Sequence, residues 1–187
     1  MEINIPEVAS LTVIKPKPAT LKDLLAAGKK VPAEATTLLM QNHADVKAMF
    51  LQHRAESDGE MKLFLAQKIC TALTVHAMVE EEILYPEAGR ALEDDEMVTE
   101  AVEEHGEVKV VISKIIDGIA AGKSTSRNVK KLMQLVEHHV QEEETEMFPD
   151  MRQTGMDLYE LGSQLAARQT EALLELTRQA RAAAGRA

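Results

Sequence analysis

The chain has 187 residues, enough for one domain with a sizeable core plus extensions and too few for two large domains. Alanine, leucine, glutamate, lysine and methionine dominate, aromatic residues make up 3% and tryptophan is absent, which predicts an all-α fold. A formal net charge of -10 argues against a broad nucleic-acid or anionic-membrane surface, since both need a basic face.

The N-terminus "MEINIPEVAS" has no continuous apolar stretch, and no segment reaches roughly 18 uninterrupted apolar residues. The expectation is a cytoplasmic protein. Cys70 is the only cysteine, so a thiolate cluster is excluded and any metal must use nitrogen and oxygen ligands.

In chain order, "KPKP" at Lys15 to Pro18 favours an extended lead-in, and "ATLKDLLAAGKK" reads as a short helix between Thr20 and Gly28. Residues 1–32 therefore form an N-terminal extension. From Pro32 an apolar stripe runs Leu39, His43, Val46, Phe50, predicting a helix that ends near Glu56 to Gly59. A second stripe runs Leu65, Ile69, Leu73, His76, Glu80, Ile83, and a third Val98, Val102, His105, Val108, Ile112, Ile115, Ile119. The fourth runs Val129, Leu132, Val136, His139, Glu143, Met147, after Gly122 as a C-cap and Ser124 or Ser126 as an N-cap. Four long helices with short joins over 33–153 predict an antiparallel up-down four-helix bundle. "GKS" at Gly122 to Ser124 is not a phosphate loop, because Asp117 stands where that motif needs glycine. Residues 154–187 form a C-terminal amphipathic helix with Leu158, Leu161, Leu165, Leu173 and Leu176, suited to covering the bundle, pairing with another copy or docking a protein partner.

The chain repeats itself. "HAMVEEEILYP" from His76 returns as "HVQEEETEMFP" from His139, and "NHADVK" from Asn42 returns as "EHGEVK" from Glu104. Each half thus holds a lone histidine and, 33 or 34 residues on, a histidine with a glutamate four positions later. Residues four apart share a helix face, so His76 with Glu80 and His139 with Glu143 project together. His43, His76, Glu80, His105, His139 and Glu143 all fall on stripes otherwise made of leucine, isoleucine and valine. Buried without partners, each would cost several kcal/mol, and metal ions supply the compensating charge. Four imidazoles and two carboxylates suit two first-row metals, with iron, manganese and zinc all open on this ground. His53 and His138 lie off these faces and read as surface or supporting residues.

This pattern resembles the hemerythrin-like HHE cation-binding family over roughly residues 33–152, including the Glu-rich, aromatic-proline helix ends. The resemblance implies a non-haem di-iron centre with His43 and His76 on one iron, His105 and His139 on the other, Glu80 and Glu143 bridging, and an oxo or hydroxo bridge; manganese or zinc is the lesser expectation. The oxygen-carrying members place two histidines four apart on the third helix, whereas here His105 is followed at that distance by Lys109. An extra open position follows, which tilts the reading from oxygen storage toward reaction with oxygen, peroxide or nitric oxide, including catalase-like turnover. The alternative is a non-catalytic iron, oxygen or redox sensor. Asn42 stands where many members have aspartate, and Glu104 fills the equivalent place in the second half. Lys47 and Lys109 read as lysines extending outward, and Tyr85 and Phe148 as packing plugs.

Overall fold

The structure is a computed structural model that describes residues 33–185, so the lead-in and the short helix expected between Thr20 and Gly28 lie outside the described residues. Helix α1 (Ala35–Ala55) buries Leu39, His43, Val46 and Phe50. Asp58 starts α2 (Gly59–Val79) by accepting from the Met61 amide at 2.7 Å. After α3 (Tyr85–Leu92), Asp94 starts α4 (Asp95–Ala120) by accepting from the Glu96 and Met97 amides. Gly122, at φ +63°, supplies the left-handed turn past the end of α4. Thr125, rather than either neighbouring serine, occupies the N-cap of α5 (Ser126–Glu142), without a side-chain capping bond. The short α6 (Phe148–Met151) follows, and Asp157 starts α7 (Leu158–Ala184). There is no strand among the described residues.

Two π-helical turns, Glu80–Leu84 and Glu143–Met147, link α2 to α3 and α5 to α6. Their cause lies in Pro86 and Pro149. In an unbroken α-helix each proline ring would meet the carbonyl four residues back, and one inserted residue relieves that conflict. The Tyr85 and Phe148 amides accordingly donate to the carbonyls of Glu80 and Glu143, five residues back. Positions five apart on an α-helix differ by about 140°. The wider turn brings Glu80 and Tyr85 to one buried face, and Glu143 and Phe148 to another. It also moves the stripe from the expected Ile83, which is only partly buried, to Leu84 and Tyr85.

Around the ring α1 packs on α2, α2 on α4, α4 on α5, and α5 on α1. One apolar cluster, including Leu39, Val79, Leu84, Tyr85, Met147 and Phe148, lies at the π-turn end. The other, including Val46, Phe50, Ile69, Leu73, Val108, Ile115 and Val136, fills the opposite part. The six sequence-selected polar residues are buried between them. Val102, expected on the inner stripe of α4, is 42% exposed; Ala101 holds that place, spaced four and seven residues from His105 and Val108. His53, expected at the surface or in a supporting role, is buried, because it continues the α1 stripe three residues beyond Phe50.

Helix α7 seats on α1, α2 and the first π turn. Leu161 and Leu165 enter the apolar cluster, each burial contributing about 1.5–3 kcal/mol. Leu173 instead faces solvent. Close approach depends on Gly162: a Cβ there would stand 2.0 Å from the Ala33 carbonyl oxygen and 2.9 Å from the Ala35 nitrogen, both backbone atoms. Gly162→Ala is expected to push α7 off the start of α1 and lower stability by about 1–3 kcal/mol, read as a reduced midpoint in chemical unfolding.

Candidate metal centre

All six residues converge. Their inward Nε2 atoms pair across the ring, His43 with His76 at 3.0 Å and His105 with His139 at 3.0 Å. Glu80 Oε2 lies 3.1 Å from His76 Nε2 and 3.5 Å from His105 Nε2, so it reaches both pairs. Glu143 Oε2 likewise lies 3.3 Å from His43 Nε2 and 3.6 Å from His139 Nε2. Donor atoms of His43, His76, Glu80 and Glu143 gather within 4.8 Å of one another, as do those of Glu80, His105 and His139.

The outward nitrogens explain the inward ones. His43 Nδ1 is 2.9 Å from Glu144, His105 Nδ1 is 2.9 Å from Glu81, and His139 Nδ1 is 2.8 Å from Glu104. A carboxylate accepts only, so each of these nitrogens carries the proton and leaves the Nε2 lone pair facing the centre. Two such lone pairs 3.0 Å apart repel unless a cation or proton lies between them. Both Glu80 oxygens and Glu143 Oε2 are buried without a hydrogen-bond partner among the described residues. This is a donor set with unsatisfied lone pairs on nitrogen and oxygen, and it fits first-row metal ions.

Without metal, the electrostatics is tense. Burial, then the negative Glu143 and Glu81, raises the Glu80 carboxyl well above its ordinary range. Burial pushes Glu143 the same way, but the charges of His139, His43 and His76 bring it down to about 2. Tyr85 reinforces that asymmetry, its hydroxyl donating to Glu143 Oε1 at 3.0 Å. Burial, followed by repulsion from His43, drives His76 well below the usual imidazole range.

Tyr85, expected only to plug the core, is therefore both packed and polar: its hydroxyl also lies 3.4 Å from His105 Nε2 and His139 Nε2. Its repeat partner Phe148 stacks on His43. Burial and then the charges of Glu80 and Glu143 push the phenol well upward, which keeps its proton. Lys109, expected to extend outward, instead gives its ammonium to both oxygens of Glu81 at 2.6 Å, one residue removed from His105. Glu81 and Glu144, which the sequence offers only as members of glutamate runs, were betrayed by one signal: they recur in register, one residue after Glu80 and Glu143. His138 is exposed beside Glu104 and Glu142. Cys70 sits in the far apolar cluster, where burial raises its thiol to about 12.

A family model for the hemerythrin HHE cation binding domain matches residues 34–151. The chain belongs to that family. No curated protein and no solved structure matches the chain. Hemerythrin HHE membership makes this a metal-binding module, and the buried histidine and glutamate groups lie within the matched residues. No helix among the described residues is long and apolar enough to cross a membrane.

Proposed function

We propose that this chain is a non-haem di-iron protein that binds or reacts with oxygen, peroxide or nitric oxide, with peroxide decomposition as its catalytic activity. His43 and His76 would hold one iron, His105 and His139 the other, with Glu80 and Glu143 bridging. The observation that carries this reading is the pairing of buried, unpartnered carboxylate oxygens with four inward imidazole nitrogens. When bound, the iron pair supplies oxygen coordination and electron exchange.

The chain's own residues limit what reaches it. Beside the imidazoles is a cavity of about 20 Å³ walled by Val46, Leu73, Val108, Val136 and Val140. One water needs about 10–15 Å³, whereas drug-sized ligands occupy about 300–1,000 Å³, so the space favours a ligand of two or three heavy atoms. Tyr85 holds its proton at Oη and donates it toward Glu143, orienting that carboxylate. Lys109 is engaged by Glu81, so it does not fill the place of a further histidine; this supports reaction with the small ligand over simple storage.

Protein purified without chelator is expected to carry two irons per chain and a visible spectrum that changes on reduction and on exposure to peroxide. Oxygen release from peroxide should scale with iron content. Metal-free protein that folds but cannot be loaded with iron would sink the reading. The sensor alternative draws on α7, whose Arg168 pairs with Glu82 in the first π turn. It predicts that oxidation changes protease protection of α7 without oxygen release.

A further inference from the structure

The two halves of the centre are not equally supported. The repeat pairs Asn42 with Glu104, each one residue ahead of the lone histidine of its half. Glu104 crosses from α4 to α5 and accepts from His139 Nδ1. The corresponding contact in the first half would cross from Asn42 on α1 to His76 on α2. It is not made. Asn42 Oδ1 accepts instead from Gln169 Nε2 of α7, and His76 Nδ1 is buried with no hydrogen-bond partner among the described residues.

We infer that the metal position at His43 and His76 is the weaker of the two, and that Gln169 of α7 sets the difference by engaging Asn42 away from His76. The inference rests on the di-metal reading above and adds an ordering of its two positions.

The physical basis is the far nitrogen of each ligand. A carboxylate on Nδ1 fixes the tautomer, orients the ring and makes Nε2 a better donor; losing such a partner typically costs 10–100-fold in metal affinity. His105 and His139 both have one. His43 has one, and His76 has none among the described residues. The defect is more than a missing contact. With nothing to receive a proton at Nδ1, His76 favours carrying it on Nε2, which donates to the lone pair of His43 Nε2 at 3.0 Å. A metal can use that Nε2 only if the proton moves to the unpartnered side.

One feature works in the other direction: Lys109 draws charge from Glu81 and so weakens the carboxylate behind His105. Glu81 still accepts from His105 at 2.9 Å, however, and a weakened acceptor is a smaller loss than an absent one. Asn42 is also the lesser residue for the task, since its neutral amide accepts more weakly than a carboxylate even when free.

The test is stepwise loading of the metal-stripped full chain with cobalt(II), followed by calorimetry and by the visible absorption of the bound ion. Two steps separated by about 10–100-fold in affinity are expected. Asn42→Asp should tighten the weak step by about 10-fold or more and leave the strong one in place. Gln169→Leu, which releases Asn42 without touching a ligand, should narrow the gap by a smaller factor, and Glu104→Gln should loosen the strong step instead. Two equal steps in the native chain, or a gap that Asn42→Asp leaves unchanged, would overturn the inference while leaving two-metal binding intact. A chain that takes up no cobalt would overturn the di-metal reading itself.

Discussion

Glu80→Leu is expected to make the metal-free protein more stable by about 1–4 kcal/mol while abolishing two-metal binding. Glu80 is fully buried, both of its oxygens lack a hydrogen-bond partner among the described residues, and burial together with Glu143 disfavours its charge. Leucine has a similar volume and removes that cost without opening a cavity. Glu143→Leu should destroy the centre equally but stabilise less, because it strands the Tyr85 hydroxyl that donates to Glu143, at a cost of about 1–3 kcal/mol. Chemical unfolding with chelator and with saturating iron(II) separates the terms. Native protein should gain with metal by an amount that grows with free iron, and both variants should gain nothing. Identical native curves with and without metal, joined to a destabilised Glu80→Leu variant, would mean that Glu80 serves the fold itself.

That sign reversal is why so much of the centre was legible in the sequence. A histidine or glutamate on a stripe of leucines is out of place energetically, and a second copy of the same anomaly about sixty residues on is stronger still. The helices were legible because their apolar stripes are long, whereas the capping roles of Asp58, Asp94 and Asp157 emerge only in the fold. What periodicity does not encode is which neighbour a side chain meets. Glu81 reaches His105 across 24 residues, and Glu144 reaches His43 across 101, so their roles needed the packed ring. The π turns shift the register by one residue, which a strict 3.6-residue reading misses, although a proline six residues after each selected glutamate marks both. The Gln169 contact with Asn42 spans 127 residues and has no repeat counterpart to announce it.

Acidifying the metal-free protein from about pH 7 to about pH 5 is expected to reduce its stability. Burial lowers His76, His105 and His53 in the fold. Below about 6.5 the unfolded chain takes up protons that these three refuse, so their contribution is present at neutral pH and is lost as pH falls. Glu80 acts oppositely: its raised carboxyl keeps a proton the unfolded chain has released, which favours the fold on the acid side. His139 joins it. Burial lowers that imidazole, but the charge of Glu143 and the bond to Glu104 outweigh burial and raise it overall. Below about 6.5 the unfolded chain holds the His139 proton as well, so three imidazoles then stand against Glu80 alone and stability falls with pH. Glu143 enters only later, its contribution disappearing between about pH 4.3, the ordinary glutamate value, and about 2. Metal-loaded protein should fall more steeply over the same interval, because protons compete with the ions for the same nitrogen and oxygen lone pairs. Unfolding midpoints at successive pH values, with and without chelator, give both curves. Their merging on acidification is the mark of a centre emptied by protons; a metal-free curve that rises toward pH 5 would mean that the imidazoles are already charged inside the fold.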